Sequence, residues 1–130
     1  MEPKVDPWRT IASETPIAPS HLKDRSIATR AELSRAEALN ISKAHVKYLA
    51  APPTKRLAPF DYTWLLRLHE EMYCDVWLWV GEPRRADLNM GVPWPQVPGQ
   101  VLALTQDLHV WQDSGMSLVE QATWLHYRAV

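Results

Sequence analysis

The sequence predicts a helical fold, and three observations carry that prediction. Apolar residues recur at three- and four-residue spacing in several stretches. Two of those stretches open with a Ser/Thr-x-x-Glu box, a helix-start signature. The Gly/Pro-rich stretch 81–95 suits a loop or a weak hairpin, not a helix.

In chain order, residues 1–28 contain four prolines and little periodicity, and are expected to form an extended arm with poor local order. Thr29-Arg30-Ala31-Glu32 then opens a helix, with Leu33, Ala36, Ile41, Ala44 and Tyr48 as a loose apolar stripe. Pro52-Pro53 stops it near Ala50. A second helix is predicted from about Asp61 to Tyr73, because Trp64, Leu65, Leu68 and Met72 share one face. A third runs from about Gln96 to Gln112, where Val97, Val101, Leu104, Leu108 and Trp111 step by four and three. Gly115 breaks it. Ser117-Leu118-Val119-Glu120 starts a fourth, with Leu118, Ala122, Leu125 and Ala129 as its stripe. No Gly, Asn or Pro follows that stripe, so the sequence is expected to be a fragment of a longer protein. Leu65/Leu68/Met72, Val101/Leu104/Leu108 and Leu118/Leu125 are the expected packing surfaces. Trp64, Trp77, Trp79 and Trp111 are expected to be mostly buried among them.

Composition narrows the function. A chain of 130 residues has room for one domain. Its 14 Lys+Arg against 15 Asp+Glu argue against a globally basic nucleic-acid binder. The charge is uneven: residues 1–56 carry +4 and residues 57–130 carry −5, so the first half could meet an acidic partner or be a solvated arm. A single cysteine, Cys74, leaves no internal disulfide and fits a reducing cytosol. No apolar run reaches the roughly 18 residues of a membrane span, and the N-terminus lacks a secretory h-region. The expectation is a cytoplasmic protein with no nucleic-acid and no membrane partner.

Chemistry-bearing patterns are sparse. His21, His45, His69, His109 and His126 include no H-E-x-x-H pair, so no metal site is expected. Four glycines spread over the chain build neither a P-loop nor a dinucleotide fingerprint. Trp77-Leu78-Trp79 beside Gly81 makes a rigid aromatic corner. Arg84-Arg85 in the following loop is either solvated or a cationic grip on phosphate or on a peptide backbone. The residues Arg84–Val92, bracketed by Gly81 and Gly91 and closed by Pro93, are expected to act as a flap that pairs with an extended peptide.

The run Leu68-His69-Glu70-Glu71-Met72-Tyr73-Cys74-Asp75-Val76-Trp77-Leu78-Trp79-Val80-Gly81-Glu82-Pro83-Arg84 resembles the Fic/Doc (Fido) family. Asn89-Met90-Gly91-Val92-Pro93-Trp94 and Gln96-Val97-Pro98 are similar to the branch often labelled mobile mystery protein B. Thr29–Leu33 with Glu37, Asn40 and Ile41, and the closing Leu125-His126-Tyr127-Arg128-Ala129-Val130, resemble the same branch. The resemblance covers about residues 29–130. It implies an all-α, Fic-like helical bundle with a small β-hairpin flap. It implies transfer of AMP from ATP, with Mg2+, to a hydroxyl of a target protein. The family's signature, H-P-F-x-[DN]-G-N-G-R, holds the base and the phosphate-binding nest, and this chain stops short of it. No catalytic residue is therefore expected within the chain, and ATP and Mg2+ are implied for the full-length protein only. The resemblance further implies that Arg84, Arg85, Asn89 and Gly91 form a flap that docks the target protein. Glu37 becomes a candidate inhibitory glutamate, although Ala38 follows it where the family has Gly or Asn. His126 would sit at the root of the site. Pro83 stands where the family has an aromatic residue. An antitoxin or a self-inhibitory helix is the implied regulatory partner. The alternative is a non-catalytic Fic-like peptide-binding or regulatory module.

Overall fold

The computed structural model describes Trp8, residues 17–87 and residues 91–129. Among these residues the chain is helical and forms no strand; four α-helices carry it. They are α1 (Arg30–Leu49), α2 (Tyr62–Tyr73), α3 (Val97–Asp113) and α4 (Leu118–Ala129), with short 3-10 turns at Pro19–His21 and Trp94–Gln96. None of the described helices is long and apolar enough to cross a membrane.

The helix starts follow from their caps. Thr29 Oγ1 accepts from the Glu32 N–H at 3.2 Å, and Glu32 Oε2 accepts from the Ala28 N–H at 2.8 Å. One box thus satisfies two otherwise free donors. Asp61 Oδ1 caps α2 through the Trp64 N–H at 2.8 Å. The preceding Phe60 takes a positive φ of 56°, unusual for a bulky residue, and lays its ring 4.5 Å from Trp64. Ser117 Oγ caps α4 through the Glu120 N–H at 3.2 Å.

α1 packs along α2, and α3 packs on α4. Two apolar clusters hold the first pair. One gathers Tyr48, Ala58 and Trp64. The other gathers Leu22, Leu33, Val76 and Trp77. Between them Asn40, 2% exposed, joins α1 to the end of α2. Its Nδ2 donates to the Glu71 carbonyl at 3.1 Å, and its Oδ1 accepts from the Asp75 N–H at 2.8 Å. Glu71 and Asp75 are four apart, so the Asn40 amide occupies the place of the next rung of α2. A side chain from α1 thereby ends α2. Beside it, Tyr48 Oη donates to Glu71 Oε2 at 2.5 Å, and Lys47 pairs with the same carboxylate.

The expected loose arm is tied down over residues 17–28. Leu22 is 2% exposed and forms an isolated antiparallel bridge with Trp77. The Lys23 N–H donates to the Val76 carbonyl at 2.8 Å, and the Leu78 N–H to the His21 carbonyl at 3.0 Å. Proline content argued for disorder here; burial of one leucine and two ladder bonds overrides it.

The fourth helix is rotated from its expected face. Leu118 is 81% exposed, whereas Gln121 is buried at 8%. Leu125 and Arg128 line up with Gln121 at helical spacing and are partly buried. The polar members of this face find partners: Gln121 Nε2 donates to the Met116 carbonyl at 2.8 Å, and Arg128 Nη1 to Asp107 Oδ2 at 2.5 Å. The Arg128 guanidinium also lies 5.8 Å from the Trp111 ring centre. Of the four tryptophans expected inside, Trp64 and Trp77 are buried, Trp111 is half-buried, and Trp79 is 42% exposed.

Candidate functional site

α1 and α2 lie side by side, and the aromatic corner folds back across their shared edge. The three enclose a half-open cavity of about 610 Å3. Glu37 reaches it from α1, while His69, Met72 and Tyr73 reach it from α2. Trp77 and Trp79 close it from the corner. Ile17 of the arm and Arg30 of α1 also line it.

The rings form one continuous wall. Tyr73 and His69, four apart on α2, have centroids 5.0 Å apart. His69 meets Trp79 at 5.5 Å, and Trp79 meets Trp77 at 5.4 Å. The return of the chain depends on Gly81. Its φ is +74°, and a Cβ there would stand 3.2 Å from Glu70 Cβ and 3.5 Å from the Leu66 carbonyl. Only glycine fits both the backbone and the gap. The Gly81 N–H then points at His69 Nδ1, 3.4 Å away.

Burial shifts the titrating groups on the cavity wall. It pushes the Glu37 carboxyl up, while the side chain of Trp77, donating toward it, pulls the other way. It pushes the His69 imidazole down, which keeps the ring neutral at pH 7. Burial, joined by the nearby Glu37, raises the Tyr73 hydroxyl. Arg30 is engaged by a partner of its own.

The loop expected to be a hairpin flap is built differently. Arg84 folds back over it, donating from Nη1 to the Ala86 carbonyl at 2.8 Å and from Nη2 to the Val92 carbonyl. Asp87 Oδ1 accepts from the Trp94 N–H at 2.8 Å. Side chains therefore take the main-chain groups that a hairpin ladder would use, and no hairpin is present among the described residues. Arg84 is committed to closing this loop, so it is not the free cationic grip that its sequence position suggested. Gly91 has a φ of +88°, and a Cβ there would approach Arg84 Nη2 to 3.3 Å. Arg85 is exposed. Asn89 lies outside the described residues. None of Arg84, Arg85 and Gly91 lines the cavity, so the structure does not join the loop to Glu37. His126 is exposed on α4 and is also absent from the cavity.

The cavity walls His69, Tyr73 and Trp79 are the residues that site reasoning from sequence passed over. The signal was the His69/Tyr73 pair at i and i+4, followed by tryptophans at i and i+2 just past the helix end. Among the described residues, no three His, Cys, Asp or Glu side chains gather as a metal ion would need. Compared with protein-family models, curated proteins and solved structures, the chain finds no match.

Proposed function

We propose that the chain supplies the N-terminal helices of a Fic-type protein AMP transferase, with a role in holding the target and restraining the reaction. One observation supports this reading. Two of the segments that carry the family resemblance, 29–41 and 68–84, lie on α1 and on α2 with its corner. They face each other across one cavity, with Glu37 on its wall. A half-buried carboxylate at that place suits an inhibitory role toward a phosphate-binding arginine. The described residues do not themselves fit Mg–ATP: their acids do not cluster, and Arg84 is spent on main-chain carbonyls. The nucleotide chemistry belongs, in this proposal, to the family's signature segment.

The test uses the protein encoded by the complete reading frame that contains this chain. It is incubated with ATP labelled on the α-phosphate and with hydroxyl-bearing target proteins. The expected result is label transfer that, at saturating target, rises when Glu37 is replaced (Glu37→Gly). No transfer by either form sinks the enzyme reading. The second reading, a non-catalytic peptide-binding module, then remains, favoured by the open, aromatic-walled cavity.

A further inference from the structure

We propose that the cavity between α1 and α2 is a recognition pocket for the side-chain ammonium of a lysine, methylated or not, presented by an extended peptide. Four rings in unbroken contact, those of Tyr73, His69, Trp79 and Trp77, line one side of it. Aromatic faces attract cations, and the attraction strengthens where water is excluded. Among the described residues, Glu37 supplies the one carboxylate on the cavity wall. His69 adds no opposing charge, being held neutral by its burial. Arg30, the one permanent cation on the lining among the described residues, sits seven residues before Glu37, about 10 Å along α1, and is engaged by a partner of its own. An incoming ammonium is drawn to the Glu37 carboxylate.

Size indicates how the ammonium arrives. A cavity of about 610 Å3 lies within the range of small-ligand sites and is far larger than an ammonium head alone. It has room for a four-carbon stem and a stretch of backbone. A lysine has that stem, and its methylene groups can lie along Leu65, Leu68 and Met72, which also line the space.

The inference rests on the reading of this chain as the part that holds the target, but it fails separately. Labelling with ATP tests transfer; a titration tests binding. The whole 130-residue chain is titrated with the acetylated amides of lysine, trimethyllysine and norleucine, and with choline. Tryptophan fluorescence is the readout. The two lysine compounds are expected to bind about tenfold tighter than norleucine, the neutral analogue. Glu37→Gln is expected to remove most of that preference. Trp79→Ala is expected to weaken both lysine compounds several-fold; Trp79 is 42% exposed, so its removal spares the core, which circular dichroism verifies. Norleucine binding as tightly as lysine overturns the inference, as does an unchanged preference in Glu37→Gln. Choline binding as tightly as trimethyllysine overturns the peptide source. Failure of every compound to bind overturns the whole inference, whatever the labelling assay shows.

Discussion

Replacing Asn40 with alanine should be among the most costly single changes in the α1–α2 pair. The amide makes two hydrogen bonds, to the Glu71 carbonyl and from the Asp75 N–H, at a site 2% exposed. Asn40→Ala leaves both main-chain groups, part-buried, without this partner. Each orphaned group costs about 1–3 kcal/mol. Partial closure of a Glu71–Asp75 helical bond would recover some of this. It is opposed by the next two amides, Val76 and Trp77, which both donate to the Tyr73 carbonyl at 3.0 Å. The net loss should be about 2–4 kcal/mol, a large part of the roughly 5–15 kcal/mol typical of a domain. Urea unfolding followed by far-ultraviolet circular dichroism measures it: the midpoint should fall at constant slope. Asn40→Asp keeps the acceptor for Asp75 but sets a carboxylate oxygen against the Glu71 carbonyl. Its defect should shrink as pH falls and the carboxyl regains a proton to donate. A change within about 0.5 kcal/mol for Asn40→Ala, the range of an inert surface site, would refute the reasoning.

Other outcomes follow from the cavity and its edges. Gly81→Ala should destabilise by at least about 1–2 kcal/mol, since a side chain is disfavoured at positive φ and would crowd Glu70; an unchanged melting temperature would contradict this. The half-buried His69 has its pKa lowered by that burial, so on acidification the unfolded chain takes up that proton first. Its contribution to stability is therefore full above about pH 6.5 and declines below it. His69→Phe should flatten the drop in melting temperature between about pH 7.5 and about pH 5.5; an equally steep drop would count against the imidazole as its source. The 130-residue chain alone is expected to transfer no AMP from labelled ATP. Robust transfer abolished by His126→Ala would overturn that and make His126 the base.

The helices were legible because their signals are local. Thr29, Asp61 and Ser117 each cap the helix that starts one residue later, and periodicity needs only a window of a few turns. What escaped was set by distant partners. Leu118 looks like a core residue on its own helix, but the inward face is the one that lets Arg128 reach Asp107 on α3. Asn40 reads as a neutral mid-helix polar residue until Glu71 and Asp75 are seen beside it. The loop after Gly81 has hairpin composition, yet Arg84 claims the Val92 carbonyl that a ladder would need. At the candidate site, Glu37 was visible, whereas the ring wall around it is assembled from α2 and the corner and has no single-segment motif.

The bridge between Leu22 and Trp77 has a kinetic side. Its two residues lie about 55 positions apart, so closing that loop fixes far more chain than pairing α1 with α2 across a short connection. Two main-chain bonds, the Lys23 ammonium on the Cys74 carbonyl, one buried leucine and the partly buried Ile17 and Ile27 reward the closure, a modest return for so long a loop. The arm should therefore settle after the helices have met, and its contacts should be largely absent from the folding transition state. Leu22→Ala would then leave the folding rate nearly unchanged and show its whole effect as faster unfolding. The N-terminal segment acts, in this view, as a lock applied to a finished helix pair: it sets how long the native state lasts and not how quickly it forms.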